Sequence, residues 1–227
     1  MGFGIFGKLP QKRDFISFDI PRAILEPFEN WLQSAVAASK NELGRDWQDR
    51  YLVAPIWRFW GGKEIFGVDC TGVIMPSVDQ VGRFFPLSVI YYDESGNGLI
   101  PPSEAVNDQW FVALEERLLQ TLDEEAEIEA RSLAEGLAAP AEAVENMQNA
   151  GVNFDKGRIW RQDELPVSEL LANISESDYR AACEGRSFWW TNGGSSFGPI
   201  VYSQQGLPDP YFFTSMITGG LDNSRVN

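Results

Sequence analysis

The chain has 227 residues, of which 33 are acidic and 18 basic, a formal charge of −15. That balance opposes binding to nucleic-acid phosphates and to anionic lipid. Histidine is absent, which excludes His-based triads and His general bases, and two cysteines without histidine do not make a structural zinc site.

Phe3 to Lys8 reads as a first short strand, with Gly4 and Gly7 allowing close approach of backbone. Leu9 to Ile20, with its mixed charges, reads as a loop. Pro21 opens a short helical turn, and Pro27 fits the first turn of a second helix. In that helix Phe28, Trp31, Leu32, Ala35 and Val36 form one apolar face, stopped by Gly44. Bulky residues around Ile56, Trp57, Phe59 and Trp60 predict a strand, and Gly61-Gly62-Lys63 a turn.

The stretch from Gly67 to Tyr92 holds two apolar runs, Val73-Ile74-Met75 and Phe84 to Tyr92. Both are bounded by glycine or proline and both read as strands. The polar hinge between them, Pro76 to Arg83, brings Ser77, Asp79 and Arg83 close together. A loop on a rigid sheet is a natural place for function. Next comes a helix capped by Ser103, with Trp110, Phe111, Leu114, Leu118 and Leu122 on its buried face.

The acidic run from Asp123 to Glu129 and the Ala-rich stretch from Ala130 to Ala150 read as a solvated helical excursion interrupted at Pro140, or as a binding tail. Gly151 stops that excursion. Phe154 to Trp160 reads as a strand or a returning loop. Two short helices follow, Ser168 to Ile174 and Ser177 to Glu184. Ser187 to Thr191 and Pro199 to Tyr202 are strands joined by an Asn192-Gly193-Gly194 turn. Tyr211 to Ile217 is a short apolar helix or strand. This order predicts an α+β fold, a largely antiparallel sheet with helices packed on its faces. Residues 1–218 are expected to form a single domain and 219–227 a flexible tail.

The aromatic load of eight Trp and fifteen Phe supports a sizeable core. Cys70 and Cys183 fit a cytosolic chain better than a disulfide scaffold. The first residues, MGFGIFGKLPQKRDF, lack the apolar run of a signal peptide, and no segment has the length of a membrane span. The expected location is the cytoplasm, with no cofactor, no metal and no membrane insertion. The glycines around Gly4 and Gly7 lack the spacing of a phosphate-binding loop.

Two classes of function fit the hinge. In one, Ser77, Asp79 and Arg83 order the loop and present it to a partner protein, with Asp79 and Arg83 bridging each other. In the other, Ser77 or Asp79 serves a histidine-independent hydrolase. Trp189 and Trp190 point to opposite sides of their strand. At least one is expected in the core, while an exposed one would be a contact anchor.

Three segments together resemble the TagF family, also called ImpM, of type VI secretion accessory proteins. They are Gly4 to Pro10 with Asp14-Phe15, Met75 to Leu87, and Phe188-Trp189-Trp190. Arg13 stands where the family pattern has glycine. Pro21-Arg22, Trp31-Leu32, Pro55 to Arg58 and Trp110-Phe111 extend the resemblance over nearly the whole chain. It implies a cytoplasmic, non-enzymatic, post-translational repressor of secretion-system assembly. The implied partner is the system's forkhead-associated-domain scaffold protein.

Overall fold

The computed structural model describes residues 2–95, 98–123, 128–140, 152–154, 157–161 and 165–220. An antiparallel sheet of seven strands organises them. The strands are β1 (Gly2–Lys8), β2 (Phe15–Phe18), β3 (Trp57–Gly61), β4 (Cys70–Met75), β5 (Leu87–Tyr92), β8 (Arg186–Thr191) and β9 (Ile200–Gln205). Their order across the sheet is β2-β1-β5-β4-β3-β8-β9. A separate hairpin is formed by β6 (Val152–Phe154) and β7 (Gly157–Ile159). The α+β architecture expected from the sequence is the one observed.

Every residue of β3, β4 and β5 is buried, because helices cover both faces of the sheet. One face packs on α1 (Arg22–Leu43), α2 (Trp47–Leu52) and α7 (Phe212–Thr218), through Phe28, Trp31, Tyr51, Phe59, Trp189 and Phe213. The other packs on α4 (Asp108–Gln120) and α5 (Ala130–Ala134), through Val73, Trp110, Leu114, Leu133 and Trp190. Strand periodicity sends Leu87, Val89 and Tyr91 to this second core, and Ile90 and Tyr92 to the first. α3 (Lys63–Phe66) is a single turn after β3, and α6 (Val167–Cys183) leads into β8.

Several local expectations change. Pro27 lies inside a continuous α1 rather than opening a second helix. It withholds only the N–H that would serve Ala23, and Ala23 is in the exposed first turn, where water can take that role. β2 occupies part of the segment read as a loop, because its Ser17 and the flanking Asp14 and Asp19 hide a short edge strand. The cap of α4 is Asn107, not Ser103: the Asn107 side chain accepts from the Trp110 N–H at 3.2 Å. Leu122 lies beyond the end of α4 and is exposed. The two short helices expected between 168 and 184 are one helix, α6. Of the acidic run, 124–127 lie outside the described residues, as do 141–151 of the Ala-rich stretch with its Gly151 stop, and 221–227 of the expected tail.

Two features hold the elements near the candidate site. Gly7 has φ +131°, and a Cβ there would stand 1.9 Å from the Pro86 carbonyl oxygen. The close approach of β1 to the start of β5 therefore requires glycine. Arg58, the second residue of β3, is fully buried. It donates to Glu115 at 2.6 Å and Asp108 at 2.7 Å, and lies 5.2 Å from the centre of the Phe111 ring. These contacts fasten α4 to the sheet. Cys70 and Cys183 are both buried and free.

Candidate functional site

The hinge between β4 and β5 is a closed hairpin tip. Val78 bridges Phe84, the Asp79 N–H donates to the Arg83 carbonyl at 3.0 Å, and the Phe85 N–H donates to the Ser77 carbonyl at 3.1 Å. The turn is Asp79-Gln80-Val81-Gly82, closed by the Gly82 N–H on the Asp79 carbonyl at 2.9 Å. Gly82 takes φ +84°, a conformation that favours glycine.

Asp79 organises this turn from within. Its Oδ1 accepts from the N–H groups of Val81 at 3.0 Å and Arg83 at 2.8 Å. Its Oδ2 accepts from Arg83 Nε at 2.7 Å and forms an ion pair with Lys8, at the end of β1. Both side chains of the Lys8–Asp79 pair are almost fully shielded from water. Burial disfavours the charged carboxylate. The hydrogen bonds from Lys8, Arg83 and Val81 outweigh it and hold Asp79 below the usual carboxylate range.

Ser77 is buried as well. Its hydroxyl donates to the Lys8 carbonyl at 2.7 Å. Its backbone N–H donates to the Tyr51 hydroxyl at 3.1 Å, which in turn donates to the Ser77 carbonyl at 3.3 Å. Burial pushes the Tyr51 phenol well up, although its bond to Ser77 works the other way. The phenol stays protonated and keeps this double bond across the physiological range. In this arrangement Ser77 spends its proton on a backbone carbonyl and Asp79 is saturated with donors. Neither has the geometry of a nucleophile.

The exposed part of the tip is a different set of residues. Arg83 leaves about half of its side chain in water (54%), while its guanidinium also donates to the Arg13 carbonyl. Gln80 links the tip to the β1–β2 loop: its N–H donates to the Lys12 carbonyl at 3.1 Å and its side chain accepts from Arg13 Nε at 3.3 Å. Val81 is exposed. So is Phe15, which packs edge-on against Phe85 at 4.8 Å. The β1–β2 loop and the β4–β5 hairpin thus make one surface.

The structure brings Ser77, Asp79 and Arg83 together, and the expected Asp79–Arg83 bridge is present. Trp189 and Trp190 sit elsewhere, on β8, and do point to opposite faces. The prospect of an exposed anchor is corrected: both are buried, because helices cover both faces. Trp189 stacks on Phe59 at 5.0 Å and lies 4.6 Å from Trp31, while Trp190 meets Phe111 edge-on at 5.0 Å. Sequence reasoning missed Lys8, Tyr51 and Arg13. The one available signal was a lysine ending an apolar strand, whose charge needs a partner if buried.

Among the described residues, no group of three or more Cys, Asp or Glu side chains is placed to hold a metal ion. Among the same residues, no helix is long and apolar enough to cross a membrane. Residues 4–138 match the TagF N-terminal domain, described as Type VI secretion system-associated. The crystal structure of PA0076 from Pseudomonas aeruginosa PAO1 is similar across 97% of this chain and 96% of its own, with 34% sequence identity and a TM-score of 0.78. No match is found among curated proteins.

Proposed function

The chain belongs to the TagF family of type VI secretion-associated proteins, and from that premise we propose that it is a cytoplasmic, post-translational negative regulator of secretion-system assembly. It acts by binding, not by turnover, and its partner is the forkhead-associated-domain scaffold protein of that system. The observation that carries this reading is the division of labour at the hairpin tip. Ser77, Asp79 and Lys8 form a buried bracket whose hydrogen bonds are spent inside the molecule. That bracket holds Arg83, Val81 and Phe15 outward in one fixed arrangement. A preorganised surface of this kind loses little side-chain freedom on binding. Ser77 and Asp79 therefore serve the contact from beneath, and Arg83 serves it directly.

The test is a binding measurement with the purified scaffold protein. Combining Val81→Asp with Arg83→Glu should weaken binding about tenfold or more, as loss of a central contact does. The double variant gives up the Arg83 Nε bond to buried Asp79 and sets a second carboxylate beside it, so its melting temperature should fall, and circular dichroism at the assay temperature establishes that it is folded. Unchanged affinity in a folded double variant would refute the tip as the contact. The charge of −15 favours encounter with a basic partner surface. The association rate should accordingly fall as salt is raised, which stopped-flow mixing would measure. A rate independent of salt would remove electrostatic steering from this account.

A further inference from the structure

Two clefts meet at Trp60, at the end of the sheet opposite the hairpin tip. The larger, about 330 Å³, is walled by Trp60, Trp110, Phe111 and Trp190. The smaller, about 240 Å³, carries Asp69, Asp93, Glu94 and Glu184 on its wall. Trp60 and Leu99 are common to both. Lys63 and Arg180 also line the smaller cleft, but their charge is engaged: Lys63 pairs with Glu184 at 2.7 Å, and Arg180 with Glu104 at 3.2 Å and Glu176 at 2.8 Å. The carboxylates of Asp69 and Asp93 are bound to N–H and hydroxyl groups, with the Lys63 charge also acting on Asp69, so the cleft carries more carboxylates than cations. The result is one groove, aromatic at one end and acidic at the other.

The indole at the junction is an unspent donor. Trp60 is 97% buried, and its Nε1 has no acceptor among the described residues. Buried indole N–H groups ordinarily find a partner. The neighbouring Trp110 shows what such a partner looks like here. Its Nε1 donates to the Ala138 carbonyl at 2.7 Å, and Pro140, two residues on, lines the aromatic cleft. The aromatic wall already holds the Ala138-Ala139-Pro140 piece of its own chain by an indole–carbonyl bond.

We propose that this groove binds an extended peptide segment of a partner protein. A proline or other apolar residue of that segment sits among Trp60, Trp110, Phe111 and Trp190, and an adjacent Lys or Arg side chain reaches Asp93 and Glu94. A segment lying across both clefts passes over Trp60, whose N–H is shielded in the free protein and meets a backbone carbonyl of the segment once the indole turns toward it. Aromatic-walled grooves suit extended, proline-containing segments, whose ordering on binding costs little. Charge complementarity selects the basic residue. The site is separate from the hairpin tip and does not depend on it.

The test uses the full chain labelled with ¹⁵N and two synthetic probes, acetyl-Pro-Pro-Leu-Arg-Lys-amide and the same peptide with both basic residues replaced by glutamate. The Trp60 indole resonance, assigned through Trp60→Phe, should move with the basic peptide at a Kd below about 1 mM, and should not move with the acidic one. Glu94→Gln leaves the backbone contacts of Asp69 and Asp93 and the Lys63–Glu184 pair intact. It should weaken the basic peptide about tenfold, the range of a lost charge-assisted contact. Val81→Asp, at the tip, should leave the titration unchanged. No movement of the Trp60 resonance overturns the proposal. So does an equal response to both peptides, or full affinity in Glu94→Gln.

Discussion

Replacing Asp79 by asparagine should destabilise the protein by about 3 kcal/mol, measurable by urea unfolding. The substitution keeps the shape of the side chain but leaves the Lys8 ammonium buried with no opposing charge. With the amide oxygen kept at the Oδ1 position for the N–H groups of Val81 and Arg83, the amide NH2 faces Lys8 Nζ and Arg83 Nε, donor against donor. Breaking a buried pair from one side costs about 3–5 kcal/mol. The low end applies because Asp79 lies beneath a single hairpin turn, with water one layer away. The sign of the pH dependence follows from the depressed carboxyl. Its contribution is fully present above the unfolded carboxylate value of about 3.9, and is lost as pH falls through the lower folded value. The gap between wild type and Asp79→Asn should therefore be widest near neutrality and close in acid. A gap that does not narrow below about pH 4 would mean that the charge of Asp79 is not what holds the tip. Scaffold binding should weaken with this variant as well, since the tip loses its internal anchor.

Trp189→Ala should be more damaging still, at about 3–5 kcal/mol. The ring is fully buried, stacked on Phe59 and against Trp31, with its N–H spent on the Ser187 hydroxyl at 3.1 Å. Truncation leaves a cavity in the core shared with α1, and the sheet cannot collapse to fill it. A typical domain is stable by about 5–15 kcal/mol, so this variant should unfold at a much lower urea concentration. Val201→Ala, on the adjacent β9 where Val201 is 75% exposed, should change stability by no more than about 0.5 kcal/mol. Near-equal midpoints for the two would contradict the burial described here. Any loss of partner binding by Trp189→Ala would be read as lost folding, since the indole presents no surface to a partner.

Much of the fold was legible from the chain alone. β3, β4, β5 and β8 announce themselves as bulky, apolar runs bounded by glycine or proline. The face of α1 shows in the spacing of Phe28, Trp31, Leu32, Ala35 and Val36, all buried in the structure. What escaped depends on context. Proline at 27 reads as a boundary unless it is known that the carbonyl it deprives lies in an exposed first turn. β2 is a four-residue edge strand among charges, too short for its alternation to stand out. At the site, the turn chemistry of Ser77, Asp79 and Arg83 was local and could be read. The pairing of Asp79 with Lys8 spans 71 positions, so nothing near the hinge signalled that its acid would be closed off. The opposite orientation of Trp189 and Trp190 follows from strand periodicity alone, but how much of each is covered depends on helices far away in sequence.

Gly7 carries a longer consequence. A methyl group at that position would collide with the Pro86 carbonyl, and its φ of +131° already disfavours any other residue. The seat from which Lys8 reaches Asp79 is thus barred to drift, while Val81 stands in solvent with room for almost any replacement and Arg83, tied to Asp79 through Nε, keeps half of its side chain there. Lineages can exchange the gripping residues to follow a diverging partner without rebuilding the mount beneath them.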